Sequence, residues 1–201
     1  MKLFYAKTSP FVRKVLVVAH ELGLFERLDL LPAAAHPINR DATIREQNPL
    51  AQVPTLILDD GTMLADSRVI CEYLDHLGQG GFFPAPGPAR WAALAAQSTG
   101  DGLLDAALLC VYETRVRQES ERSPAWVAGQ REKIADALAQ IEAAAPGLGE
   151  RVDIATVTYG CALGYLDLRL PDLGWRGRAP AAAAWYARFG ERPSMQATRP
   201  E

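Results

Sequence analysis

One break in composition divides this chain. Residues 78–88 hold four glycines and three prolines around Phe82 and Phe83. Neither a helix nor a strand tolerates that mixture, so the stretch marks a domain boundary. Before it, short apolar runs alternate with helical patterns. After it, strand signals vanish. The sequence therefore predicts a mixed α/β domain over 1–78, a linker over 79–88 and an all-helical domain over 89–201, with the two phenylalanines pinning the linker to the body.

In the first part, Lys2 to Ala6 reads as a strand. Phe11, Val15, Val18 and Leu22 make an apolar stripe at helical spacing, and Val12, Leu16 and Ala19 widen it, so this helix is expected to be buried on more than one side. Gly23 is its stop. Leu28 to Leu31 reads as a strand, Pro32 to Arg40 as loop, and Asp41 as the cap of a short helix through Glu46. Thr55 to Leu58 and Met63 to Ala65 read as a hairpin about Asp59-Asp60-Gly61. A helix carrying Val69, Ile70, Tyr73, Leu74 and Leu77 follows Asp66-Ser67. Two strand-helix-strand-like halves in so short a stretch predict a small mixed sheet with helices on both faces, a thioredoxin-like arrangement. A thioredoxin would carry Cys-x-x-Cys at the start of the first helix. Here Ser9-Pro10-Phe11-Val12 stands there, which excludes dithiol chemistry at that point.

Three polar points in this part are able to do chemistry. Ser9 sits at an N-cap position with Pro10 at the first helical position, where its missing N–H costs nothing. Its hydroxyl therefore lies beside free N–H groups and the positive end of a helix dipole, a place that favours an anion such as a thiolate. A plain capping role accounts for Ser9 equally well. Pro54, entering a strand within Asn48-Pro49-Leu50-Ala51-Gln52-Val53-Pro54, marks a turn suited to a cis bond. Asp66 and Ser67 form a second polar helix start.

In the second part, Trp91, Leu94, Ala95, Ser98, Gly102, Asp105, Leu109 and Tyr112 mark one face of a long helix, with Arg115 to Arg122 as its charged, solvated end. Pro124 opens another helix, through Ile134, Leu138 and Ile141 to Ala145. The helix Asp153 to Arg169 is the most apolar of this half, and Asp153 with Thr156 has capping-box spacing. It reads as the central helix of the domain. Ala181 to Phe189 is a further short helix, and Pro193 starts a last one.

The whole chain of 201 residues is 49% hydrophobic, enough for a core. Its net charge of −3 argues against a nucleic-acid or anionic-membrane binder. Cys71, Cys110 and Cys161 are dispersed, and His20, His36 and His76 show no metal spacing, so reduced structural thiols and no metal are expected. Charges interrupt the N-terminal apolar run, which is too short for a signal peptide, and no run approaches a membrane span. A soluble, cytoplasmic protein is expected.

Taken together, Ser9 to Phe11, Asn48 to Leu50, Gln52 to Pro54, Asp66-Ser67 with Ile70 and Tyr73, and the capped helix at 153 resemble a cytosolic glutathione transferase over the whole chain. The likeness is closest to the YibF-like bacterial branch, which shares the Thr-Ser-Pro-Phe-Val-Arg-Lys opening and the Gly-Tyr-Leu run of 164–166. One departure is that the family's cap usually has Ser or Thr first and Asp third after it, whereas Asp153 and Thr156 reverse that order.

The resemblance implies roles. Ser9 would hydrogen-bond the sulfur of glutathione. The backbone of Val53, held by a cis Pro54, would pair with the cysteinyl unit like an added strand. Asp66 and Ser67 would hold the γ-glutamyl group, with Gln52 also near the peptide. Asp101 would reach the γ-glutamyl amine of the partner subunit's ligand in a homodimer. Phe11, Leu104, Leu108 and Tyr112 would line a pocket for a small hydrophobic electrophile; ordinary interdomain core is the competing account of these four. The implied activity is conjugation of glutathione, as co-substrate and with no metal, to such electrophiles, a detoxification chemistry. A non-catalytic binding or regulatory module of the same fold is the alternative. Glutathione-dependent thiol reduction is a weaker one, because it wants Cys where Ser9 stands to carry a mixed disulfide.

Overall fold

A computed structural model describes residues 1–200. They fall into two compact units: residues 1–85 together with 193–200, and residues 86–192. The sequence reading assigns 89–201 to the helical part; residues 193–200 instead belong with the first unit, where the final helix packs.

The first unit holds β1 (Lys2–Tyr5), α1 (Pro10–Glu21), β2 (Asp29–Pro32), α2 (Ala42–Gln47), β3 (Thr55–Ile57), β4 (Met63–Leu64), α3 (Ser67–Gly78) and, from the other end of the chain, α9 (Pro193–Ala197). The sheet order is β2-β1-β3-β4, with β1 parallel to β2 and antiparallel to β3, and β3 antiparallel to β4. Leu3 and Leu56, cross-strand partners in β1 and β3, are both fully buried. Helix α1 packs on α3 and on α9. Contact on two sides explains why Val12, Val15, Val17, Val18 and Ala19 are all buried, and why the burial extends to Arg13 and Lys14. Phe11 and Leu22, at the ends of the expected stripe, are only half-buried. Gly23, at φ +65°, takes the left-handed conformation that lets the chain leave α1.

The last segment is held by polar contacts as well. An Arg13 guanidinium N–H donates to the Met195 carbonyl at 3.0 Å, and the Ser194 hydroxyl pairs with the Glu21 carboxylate. Just after α3, within the first unit, the Asp75 carboxylate accepts the backbone N–H groups of Phe82 and Phe83 at 2.8 and 2.9 Å. Both phenylalanines are buried, as their place in the linker predicts.

The second unit is helical: α4 (Pro88–Arg115), α5 (Pro124–Ala144), α6 (Ile154–Arg169), α7 (Trp175–Arg178) and α8 (Pro180–Phe189). Helix α4 stops at Arg115 rather than continuing through the charged stretch to Arg122. Residues 119–121 form a short 3-10 turn, and Arg122 folds back to the Thr114 carbonyl at 2.9 Å. The face of α4 marked by Trp91, Ser98, Gly102, Asp105 and Leu109 is its exposed one, whereas Ala93, Gln97, Gly100, Leu103, Leu104, Ala107 and Val111 build the interior. Helix α4 packs along α5 and α6. Gly100 permits the second contact, since a Cβ there would sit 2.7 Å from the Thr158 methyl.

Helix α6 is buried from Ile154 to Leu166, which makes it the centre of the unit. Its cap works with the roles reversed: Asp153 accepts the Thr156 N–H and the Thr156 hydroxyl accepts the Asp153 N–H, both at 2.9 Å. From a distance in sequence, the Glu142 carboxylate accepts the first N–H groups of α8, from Ala181 at 3.0 Å and Ala182 at 2.7 Å.

Candidate functional site

Strand register gathers the polar points of the first unit at one edge of the sheet. Phe4 pairs with Thr55, and Leu56 pairs with Leu64. Continuing both ladders one or two residues sets Tyr5 and Ala6 beside Pro54 and Val53, and Asp66 beside Pro54. The C-terminal end of β1, the entry to β3 and the exit from β4 are therefore neighbours. With strands about 4.8 Å apart, the three chain ends span roughly 10 Å.

Ser9 belongs to the first of these ends. Its N–H donates to the Ala6 carbonyl at 3.0 Å, a turn that holds it against the end of β1. It caps α1 as expected, with Pro10 next, and its Oγ accepts the Val12 N–H at 3.3 Å. A hydroxyl that accepts in this way still has its own O–H to donate.

The second end is a rigid loop. Val53–Pro54 is a cis peptide, as the sequence suggested. Asn48 is 1% exposed and Thr55 fully buried. The Asn48 amide donates to the Thr55 hydroxyl at 2.8 Å and accepts the Leu50 N–H at 3.0 Å, while the Thr55 hydroxyl donates to the Gln52 carbonyl at 2.7 Å. Arg40 reaches the Pro49 carbonyl. Ala51, buried with φ at +52°, is in the left-handed region that a residue with a Cβ seldom occupies. Among the described residues, the Val53 backbone N–H and C=O meet no partner within the chain, while the Leu50 and Ala51 N–H groups before it and the Thr55 hydroxyl after it are hydrogen-bonded. Gln52 is exposed beside it.

The third end follows β4, through a second cis peptide at Ala65–Asp66. Asp66 caps α3, accepting the Arg68 N–H at 2.8 Å, and Ser67 opens the helix 2% exposed. The edge thus offers two helix N-termini on either side of an unpaired strand backbone. That combination suits an extended peptide-like ligand with anionic ends.

Asn48 and Thr55 are the residues that sequence reasoning passed over as contributors. Asn preceding Pro in a turn was the signal available, because its side chain can replace a backbone partner. Asp41 likewise organises the approach to α2. Its carboxylate accepts from the Thr43 hydroxyl and from the N–H groups of Ala34, Thr43 and Ile44, and these bonds lower its pKa from the ordinary 3.8 to about 2.

The other expected site residues are described each within its own unit. Phe11 is half-buried on α1 of the first unit. Asp101, Leu104, Leu108 and Tyr112 are on α4 of the second. Asp101 and Leu104 are buried, Leu108 and Tyr112 half-buried. Among the described residues no His, Cys, Asp and Glu cluster is arranged to hold a metal ion, and no helix is long and apolar enough to cross a membrane.

Comparison with known proteins gives this geometry a context. The family model described as glutathione S-transferase, N-terminal domain, matches residues 8–77, and the one for the glutathione S-transferase C-terminal domain matches residues 124–188. The uncharacterized GST-like protein YibF of Escherichia coli K12 is 31% identical over 100% of this chain and 98% of its own. Among solved structures, a glutathione transferase family member from Pseudomonas fluorescens Pf-5 with bound glutathione is 45% identical, with a TM-score of 0.97 over 100% of this chain and 98% of that one. A second structure from the same source, 44% identical with a TM-score of 0.93 and full coverage of both chains, carries S-(propanoic acid)-glutathione. A glutathione S-transferase from Methylobacillus flagellatus KT with glutathione bound is 35% identical, with a TM-score of 0.90 over 100% of this chain and 99% of that one. Fold, sheet-edge geometry and relatives across the full length agree: the chain belongs to the glutathione S-transferase family.

Proposed function

We propose that this protein is a glutathione transferase that binds glutathione along the sheet edge and activates its thiol with Ser9. The observation that carries the reading is the convergence of Ser9, the unpaired Val53 backbone and the Asp66–Ser67 helix start within roughly 10 Å, about the reach of an extended tripeptide. On this reading Val53 exchanges hydrogen bonds with the cysteinyl unit, Asp66 and Ser67 hold the γ-glutamyl end, and Gln52 lies beside the peptide. The relatives from Pseudomonas fluorescens and Methylobacillus flagellatus, which hold glutathione or its conjugate, support it.

The chemistry asks little of the protein beyond the thiolate. A free thiol of pKa about 8.5 is only a few per cent ionised at neutral pH. Lowering that pKa by about two units favours the anion by roughly 2.7 kcal/mol. The Ser9 O–H contributes a hydrogen bond to a charged acceptor, worth about 1.5–3 kcal/mol, and the N-terminus of α1 adds its dipole. The thiolate then attacks a small hydrophobic electrophile.

Ser9→Ala is the direct test. Turnover of glutathione with a reactive aryl halide should fall about 10- to 100-fold in kcat/KM while glutathione still binds by calorimetry. Unchanged turnover would remove Ser9 from the mechanism. Absence of glutathione binding to the wild type at millimolar ligand would favour a non-catalytic module.

The same reading includes assembly as a two-fold homodimer. Leu50, 66% exposed, and Val69, 46% exposed, are large apolar side chains on the surface of the first unit. Light scattering should return twice the 21.9 kDa chain mass. A monomer at micromolar protein would contradict it.

A further inference from the structure

His36 has a structural task in the segment that leads to the site loop. Its Nδ1 accepts two backbone N–H groups, from Ile38 at 3.2 Å and Asn39 at 3.0 Å. A ring nitrogen that accepts carries no proton, so the proton is on Nε2 and the imidazole is neutral. Asn or Asp ordinarily supplies this bonding, by accepting from the backbone two or three residues on. Here a ring that can gain a proton has taken it over.

The turn is coupled to the candidate site by two routes, both within the first unit. Arg40 closes the turn, its N–H donating to the Ile38 carbonyl at 3.1 Å, and its guanidinium reaches the Pro49 carbonyl in the loop that presents Val53. Asp41 comes next and spans the segment. Its carboxylate accepts the Ala34 N–H at 3.0 Å on one side and the Thr43 N–H at 2.9 Å, in the first turn of α2, on the other. Helix α2 then ends where the Asn48 N–H donates to the Ile44 carbonyl at 2.7 Å. Asn48 is the residue whose side chain holds Leu50 and Thr55. Hydrogen bonds therefore run from His36 to both ends of the site loop.

The charged groups on the surrounding segments leave the imidazole to this task. Arg40 and Asp41, on its own segment, are engaged as described. The bonds to Asp41 hold its pKa at about 2, so it stays ionised throughout the range in which histidines titrate. Asp29 is on β2, Arg45 and Glu46 are on α2, and Lys7 follows β1, whose Tyr5 carbonyl accepts the Ala33 N–H at 2.9 Å. These four are exposed, and residues 48–54 carry no charged side chain.

We propose that His36 is a positioning residue for glutathione and makes its binding depend on pH: the neutral ring pins residues 36–40, and protonation removes the pin. A histidine changes charge between about pH 5 and 8. Once protonated it donates from both nitrogens, so the Ile38 and Asn39 N–H groups lose their acceptor and face a third donor. The two bonds are present above that titration and are lost as the pH falls through it. Arg40 then loses the turn that aims it at Pro49, and the loop around Val53 loses its support from that side. The effect on glutathione rests on the reading above; the effect on the turn does not.

The test is calorimetric titration with S-methylglutathione, which has no thiol to ionise, at about pH 7.5 and about pH 5.5. The wild-type Kd should rise about 5-fold or more at the lower pH, as expected for two lost backbone hydrogen bonds. The side-chain oxygen of His36→Asn accepts without titrating, so its Kd should match the wild type's at the higher pH and stay there at the lower. His20, stacked on Phe25 at 4.0 Å, and His76, in the last turn of α3, are present in both proteins, so the difference isolates His36. A wild-type Kd that does not change, or a rise that His36→Asn leaves in place, overturns the proposal. Should the wild type fail to bind S-methylglutathione at millimolar ligand at the higher pH, the glutathione reading fails, and amide NMR decides the turn by itself. Ile38 and Asn39 N–H resonances that move with the His36 ring titration, and hold still over the same range in His36→Asn, sustain the switch; resonances that hold still in the wild type end it. Circular dichroism melts confirm that the variant is folded, and His36→Asp serves as the second variant if it is not.

Discussion

At position 9 one oxygen accepts the Val12 amide and keeps its own proton to donate. The two roles separate by mutation. Ser9→Ala removes both, costing about 1 kcal/mol of stability as a lost cap besides the loss of turnover, whereas Ser9→Thr keeps both and should melt within a few degrees of the wild type. Asp41 gives a second prediction at this scale. Its folded-state pKa is depressed, so its contribution to stability is present above the ordinary 3.8 and disappears as the pH falls through about 2. The Asp41→Asn variant should show a flatter decline of melting temperature across that acid window; an identical pH profile would show that the bonds to Ala34, Thr43 and Ile44 contribute nothing to stability. Single residues were legible in the sequence where local chain chemistry decides them. Ser9 beside Pro10, Pro54 at a strand start and Asp66 before an apolar helix all name their own positions. Burial of Arg13 and Lys14 was not legible, because it depends on which elements cover α1, and one of those arrives from residue 193 onward.

Loops and caps set the next scale. The site loop is held by Asn48 and Thr55, whose hydrogen bonds fix the backbone on both sides of Val53 without touching the proposed ligand. Asn48→Ala leaves the Thr55 hydroxyl and the Leu50 amide short of a partner, which costs about 1–3 kcal/mol in a buried place. On the proposed reading, in which the loop positions peptide rather than sulfur, it should raise KM for glutathione more than it lowers kcat. Equal melting temperature and KM to the wild type would contradict this. In α6 the reversed capping box makes a sharper statement. Asp153→Ala should cost about 0.5–2 kcal/mol, and the exchange Asp153→Thr with Thr156→Asp should recover most of the loss seen in either single variant. Helix starts of this kind were readable from spacing. The end of α4 was not, since the charged run after Arg115 has no strong breaker and its turn is decided by Arg122 folding back onto Thr114.

At the scale of the molecule, the Gly/Pro break at 78–88 separates mixed sheet from helices, and the order of strands follows from the runs on its N-terminal side. The return of the last helix to the first unit has no sequence signal, because its binding surface is made of Arg13, Glu21 and the outer side of α1. Met195 is 1% exposed there. Met195→Ala should cost about 2–5 kcal/mol, measured by denaturant unfolding, if the segment is part of that core. A negligible change would mean that the segment only rests on it. The proposed function depends on the sheet edge as a whole, where three chain ends meet around the Val53 backbone, unpaired among the described residues. The measurement that bears on this most directly is the ultraviolet titration of the thiolate of glutathione bound to the protein. The account predicts a pKa about two units below the free thiol's ~8.5 in the wild type, moving back toward it in Ser9→Ala. A bound thiol that titrates like free glutathione in both proteins would contradict it.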